Sequence, residues 1–170
     1  MPEISAEAAL KLWDEHISRK LFELIKDKQA PDALGALLAI DVLSEYLEGE
    51  DIVELGRILF RFWNYLLLLF PNTDNSLMIA ASRTAGKVVK SGGSTFGDSF
   101  VDKELPRALE FLSAPEKDPG RYGGVLLLRE LARTCPAPVY KHIPDVLGRL
   151  YPCFRDARVS TIIMTGGEAF

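Results

Sequence analysis

A chain of 170 residues, 48% hydrophobic and 26% charged with a net charge of −4, has an ordinary globular composition and enough length to bury about 70% of its unfolded surface. Its acidic balance, with a pI near 5.3, gives no electrostatic reason to expect DNA or an anionic membrane as partner. Two cysteines, Cys135 and Cys153, cannot staple a secreted fold, which points to a reducing compartment. The start, Met1-Pro2-Glu3-Ile4, lacks the basic and apolar regions of a signal peptide. The uninterrupted apolar run from Tyr65 to Phe70 is far short of the roughly 20 residues that a membrane span needs.

Turn chemistry at Pro31-Asp32, Glu48 to Asp51, Pro71 to Asn75, Ser91 to Ser94, Pro115 to Gly120 and Pro136-Ala137-Pro138 separates segments of helix length rather than strand length. The first carries Ile4, Ala8, Leu12, Ile17, Leu21, Leu24 and Ile25 near helical spacing, with Ser5 and nearby Glu3 and Glu7 as a negative start. The second runs from Asp32, a cap after Pro31, to Leu47, with Leu34, Leu37, Leu38, Ile40, Val42, Leu43 and Leu47 apolar. The third, Ile52 to Phe70, opens after Asp51 and places Leu55, Ile58, Leu59, Phe62, Leu66 and Leu69 on one face. The fourth, Ser76 to Lys90, has Ser76 as its expected N-cap and Gly92-Gly93 past its end. The fifth spans about Phe100 to Leu112. Pro106 either stands inside it, at about 3 kcal/mol, or marks its true start. The sixth, Arg121 to Thr134, is apolar nearly all round at Val125 to Leu128 and is expected to be buried. The seventh covers about Val139 to Tyr151, and Asp156 to Phe170 reads as no clear element. No segment alternates as a strand does, so the fold class is all-α.

The second, fourth and sixth segments resemble one another. Asp41-Val42-Leu43-Ser44, Arg83-Thr84-Ala85-Gly86 and Arg129-Glu130-Leu131-Ala132 line up, 42 and then 46 residues apart. That period falls in the range of HEAT and armadillo repeats, roughly 40 to 47 residues. The expected architecture is an α-α superhelix of about four helix pairs, in which stacked pairs bury a core that no single pair can cover. The even segments would form an inner layer, and the odd ones, which hold Trp13, Phe22, Phe60, Phe62, Trp63 and Phe111, an outer layer. Asp41, Arg83 and Arg129 at equivalent places suggest a ladder of charge contacts between repeats; the plain alternative is three unrelated solvent-facing charges.

The run Phe60-Arg61-Phe62-Trp63-Asn64-Tyr65 points in every direction round a helix. Either neighbouring repeats cover both sides, or Arg61, Trp63 and Tyr65 form a partner-binding anchor, since aromatics and arginine dominate binding hot spots. Glu48, Glu50, Asp51 and Glu54 make an acidic group that suits either a solvated helix start or a basic partner. No phosphate-binding Gly-x-x-x-x-Gly-Lys-Ser/Thr loop and no kinase His-Arg-Asp or Asp-Phe-Gly signature is present. Gly92-Gly93-Ser94-Thr95-Phe96-Gly97 follows a helix and lacks the lysine of a phosphate cradle, so it reads as a helix-ending loop. Cys135, His142 and Cys153 lack a fourth ligand and the close cysteine pair of a zinc site. No catalytic, metal-binding or cofactor-binding residue is assigned, and no cofactor is expected.

Five motifs in order carry a family resemblance. Arg61-Phe62-Trp63-Asn64-Tyr65-Leu66 resembles an Arg-Phe-Ala-Asn-Tyr-Leu motif in the N-terminal HEAT-repeat region of the target-of-rapamycin (TOR) kinases. Ala80 to Val88 with Gly92-Gly93, Arg107-Ala108-Leu109-Glu110-Phe111-Leu112, Val125 to Ala132 and, upstream, Leu34 to Asp41 are similar to further motifs of that region. The resemblance covers roughly residues 30 to 158. It implies a HEAT-like solenoid segment over 1–158 and a diverged or truncated end over 159–170. Pro106, Trp63 and Tyr122-Gly123-Gly124 depart from the family pattern, the glycines at about 1 kcal/mol each in a helix. The full-length family is a serine/threonine protein kinase, but its catalytic regions are not in this chain. The implied role is a non-catalytic scaffold whose partners are the protein subunits of a TOR-type complex and neighbouring HEAT repeats, without nucleic acid or direct membrane insertion. The implied location is the cytoplasm, reaching endomembranes through a complex. Two alternatives stand beside it: a HEAT-like protein acting on nucleic acid, as the DNA glycosylases of that type do, and a nonfunctional truncated TOR copy.

Overall fold

Apolar residues recurring every three to four positions between breaker clusters make helices that must bury one face, and the computed structural model shows them packed in two rows. It describes residues 16–27, 29–47, 55–115 and 119–155. The first half of the first segment with Trp13, the acidic group Glu48, Glu50, Asp51 and Glu54, and the end beyond Arg155 with the boundary at 158 all lie outside the described residues. The helices are α1 Ser18–Lys26, α2 Ala30–Leu47, α3 Leu55–Leu67, α4 Asn75–Ser91, α5 Gly93–Leu112, α6 Pro119–Thr134, α7 Pro136–Tyr140 and α8 Ile143–Leu150, followed by a 3-10 turn at Tyr151–Arg155. No strand occurs among the described residues.

Several boundaries differ from the expected ones, each for a local reason. Helix α2 begins at Ala30, ahead of Pro31, because proline is accommodated in a first turn; Asp32 then lies inside that turn rather than capping it. The N-cap of α4 is Asp74, not Ser76: one carboxylate oxygen accepts from the backbone N–H groups of Ser76 and Leu77 at 2.9 and 3.2 Å. Gly92 closes α4 and Gly93 turns the chain at φ 71°, a left-handed conformation that a side chain resists. Helix α5 starts there at once, so Ser94 to Gly97 is helical, neither a loop nor a phosphate cradle. Pro106 sits on the exposed side of α5, and the burial of Phe100, Val101, Leu105, Ala108 and Leu112 on the other side carries the helix through it. The seventh segment breaks in two because Pro144, at the start of α8, has no N–H to continue α7.

Helix α4 packs against both α2 and α6, forming an even row. In the odd row α3 packs beside α1 and reaches α5 through its rings. The pairs α1–α2, α3–α4 and α5–α6 join the rows, which is the stacked-pair superhelix that the repeat requires. The core is continuous between them, with Leu59, Phe62, Leu66, Met78, Phe100 and Leu126 fully buried. Gly123 and Gly124 lie where α6 approaches its neighbours most closely. A Cβ on Gly124 would stand 2.9 Å from the Ala108 carbonyl oxygen and the Leu112 backbone nitrogen of α5. The glycines that lower helix propensity are therefore the ones that admit the tightest contact between α5 and α6.

Candidate interaction surface

The aromatic run on α3 turns inward. Trp63 is 2% exposed and its ring meets Phe100 edge-on at 4.2 Å, with the indole nitrogen buried and unpaired. Phe60 lies tilted against Phe96 at 4.8 Å, and the Lys103 ammonium stands over its ring at 5.1 Å. Tyr65 packs against Phe22 at 5.4 Å, and its hydroxyl shares a hydrogen bond with Ser18 Oγ at 2.8 Å. Arg61 Nη1 donates to the same oxygen at 3.3 Å. The expected anchor of Arg61, Trp63 and Tyr65 thus faces neighbouring helices. Helices α1 and α5 flank α3 on two sides, which buries Phe62 and Trp63, half-buries Phe60, Arg61 and Tyr65, and leaves Asn64 exposed.

The three residues aligned as a ladder do not meet one another. Asp41 on α2 accepts from Lys87 Nζ on α4 at 2.8 Å. Lys87 stands one helical turn beyond Arg83, the residue that the alignment pairs with Asp41. The Asp41 hydrogen bond holds the Lys87 pKa above the ordinary lysine value; burial opposes this and the charges of Asp41 and Glu45 assist it. Arg129 instead clasps its neighbour Glu130, with Nη2 and Nε donating to one oxygen at 2.7 and 3.0 Å. Arg83 is exposed and lines a cleft of about 630 Å³ between α4 and α6, together with Gly86, Lys87, Lys90, Glu130, Arg133 and Thr134.

Cys135, His142 and Cys153 are not gathered into a group that could hold a metal ion among the described residues. Cys153 is buried with its thiol directed at the Leu112 and Arg149 carbonyls. Burial pushes the Cys135 thiol up, a hydrogen bond from Thr134 lowers it, and the charge of Asp98 raises it.

One surface escaped the reading of the sequence. Leu38, Val42 and Tyr46 of α2 are 67%, 64% and 80% exposed and, with Leu34, form an apolar stripe at four-residue spacing. The signal was that α2 is apolar on every side, more than one buried face can absorb. A second exposed set, Tyr140, Leu147, Tyr151 and Phe154, lies on α7, α8 and the final turn. No helix among the described residues is long and apolar enough to cross a membrane.

No protein-family model matches this chain. It is 31% identical over 156 residues to the serine/threonine-protein kinase tor1 of Schizosaccharomyces pombe. It is 30% identical over 166 residues to the serine/threonine-protein kinase TOR2 of Saccharomyces cerevisiae, and 26% over 158 residues to the serine/threonine-protein kinase TOR of Arabidopsis thaliana. Each match takes in 92% of this chain, more than the motifs alone span, and 6% of the relative. The chain corresponds to one region of the TOR kinases and spans about 6% of the length of the relatives it matches.

Proposed function

We propose that this counterpart of a single TOR-kinase region works as a non-catalytic scaffold, adding a stretch of helical surface to a TOR-type complex. Phosphoryl transfer needs a nucleotide cradle, metal ligands and a base, and we assign none of these to its residues. The reading places the chain in the cytoplasm, brought to endomembranes only through the assembled complex.

The observation that carries this reading is the α2 stripe. By the repeat spacing, Val42 corresponds to Thr84 and Glu130, Tyr46 to Val88 and Thr134, and Leu38 to Ala80 and Leu126. Thr84, Val88, Leu126 and Glu130 are buried, and Glu130 lies against Gly86 of the preceding helix in the even row. The same positions on α2, held by Leu38, Val42 and Tyr46, face outward instead. Such a stripe suits a further helical surface laid against α2 as α2 lies against α4.

The test is affinity capture of companion subunits of a TOR complex by the full chain and by Leu38→Asp with Val42→Asp. Both sites are exposed, so the double variant keeps its unfolding free energy within about 0.5 kcal/mol per site and loses the subunits. Capture equal to wild type, or capture of no subunit by either chain, would contradict the reading.

A further inference from the structure

We propose that the cleft between α4 and α6 binds an acidic peptide segment, whose carboxylates are read by Arg83 and Arg133. The even row makes one charge rung between its helices among the described residues. Between α2 and α4 that rung is Asp41 with Lys87 at 2.8 Å. The spacings that align the repeats, 42 and then 46 residues, carry Asp41 to Arg83 and Lys87 to Arg133. At the next crossing the place of an acid–base pair is therefore held by two arginines, and both line the same cleft. Among the described residues neither is ion-paired.

The surroundings agree in sign. Lys87 and Lys90 also line the cleft, in a chain whose net charge is −4, with the Lys87 ammonium already answered by Asp41. The acid in the lining, Glu130, is buried and held by Arg129 at 2.7 Å, so its charge is largely answered before a ligand arrives. Gly86 contributes no side chain to the cleft, and Thr134 Oγ is engaged by the Glu130 carbonyl at 2.6 Å. Guanidinium groups grip carboxylates in a planar, two-pronged fashion that ammonium groups do not match. The first rung shows that a carboxylate is what this position of the repeat accepts. An open cleft of about 630 Å³ has room for several residues rather than a single ion. The site is separate from the α2 stripe, and its success or failure leaves that reading untouched.

Fluorescence anisotropy on the full chain tests the proposal, with a short labelled Asp/Glu peptide as probe. The peptide should bind and weaken with added salt, while a Gln/Asn peptide of equal length does not bind. Arg83→Asp and Arg133→Glu should each weaken binding by about tenfold or more. Each substitution also restores a carboxylate opposite an arginine, so each variant should melt no lower than wild type. That separates a lost site from a lost fold. Equal binding by wild type and both variants overturns the proposal. So does displacement of the peptide by inorganic phosphate at equal concentration, which would mark a simple anion patch. Tighter, arginine-dependent binding of a single-stranded oligonucleotide would overturn it in favour of nucleic acid.

Discussion

The two rows of the fold solve one stacking problem with different chemistry. In the odd row, neighbouring helices are bridged by large rings: Trp63 edge-on to Phe100, Phe60 against Phe96, Phe22 against Tyr65. In the even row they are brought close by small residues such as Ala81, Ala85 and Gly86, and a charge rung joins α2 to α4. Rings carry stability through buried area and tolerate little change in shape. Small residues let backbones approach and leave the surface charges above them free to vary. This is why a pair of arginines can stand at the second crossing of the even row without dismantling it.

The largest expected effect breaks the odd row. Trp63→Ala removes a buried ring facing Phe100 and should lower the unfolding free energy by about 3–5 kcal/mol, read from the urea midpoint. If the ring were a surface anchor, stability would hold and only binding would fall. A smaller loss tests close approach. Gly124→Ala places a Cβ 2.9 Å from backbone atoms of α5, which cannot step aside, and should cost about 1–3 kcal/mol by the same measurement. Gly86→Ala sharpens that comparison. Its nearest neighbour is the Glu130 Oε2 atom at 2.7 Å, the end of a side chain. The clash is offset by a helix-propensity gain of about 1 kcal/mol, so the net change should be near zero. Equal losses at the two glycines would show that neighbour flexibility does not decide the outcome.

The smallest effect belongs to the rung. Lys87 is half exposed, so Asp41→Asn should cost less than about 1 kcal/mol by thermal unfolding. The pH sign follows from a raised lysine pKa: the contribution is fully present below the ordinary lysine value and fades as pH rises through the raised one. The difference between wild type and Asp41→Asn should therefore be flat across neutral pH and narrow in strong base.

The helices and their pairing were legible because they rest on periodicity and on breakers, both local properties of the chain. Boundaries slipped where proline sits in a first turn, as at Pro31, or on an exposed face, as at Pro106. There the burial of the opposite face decides, and that is a tertiary fact. Trp63 was ambiguous for the same reason: the run from Phe60 to Tyr65 shows that the helix is aromatic all round, not which helices flank it. The residues expected to form a ladder do not form one: a single rung joins α2 to α4 through Lys87, which shares a face with Arg83 one turn away, and only the crossing of the two helices selects between them. The α2 stripe was hidden because Leu38 and Val42 satisfy a core pattern as well as the buried Leu37 and Ile40 do.

The central claim is that this chain contributes an interaction surface through α2. Hydrogen–deuterium exchange of the full chain, alone and with companion subunits of a TOR complex, tests it most directly. The account predicts new protection concentrated in residues 34–46, with α3 and its buried rings unchanged. Protection confined to other helices, or none on addition of any subunit, would contradict it.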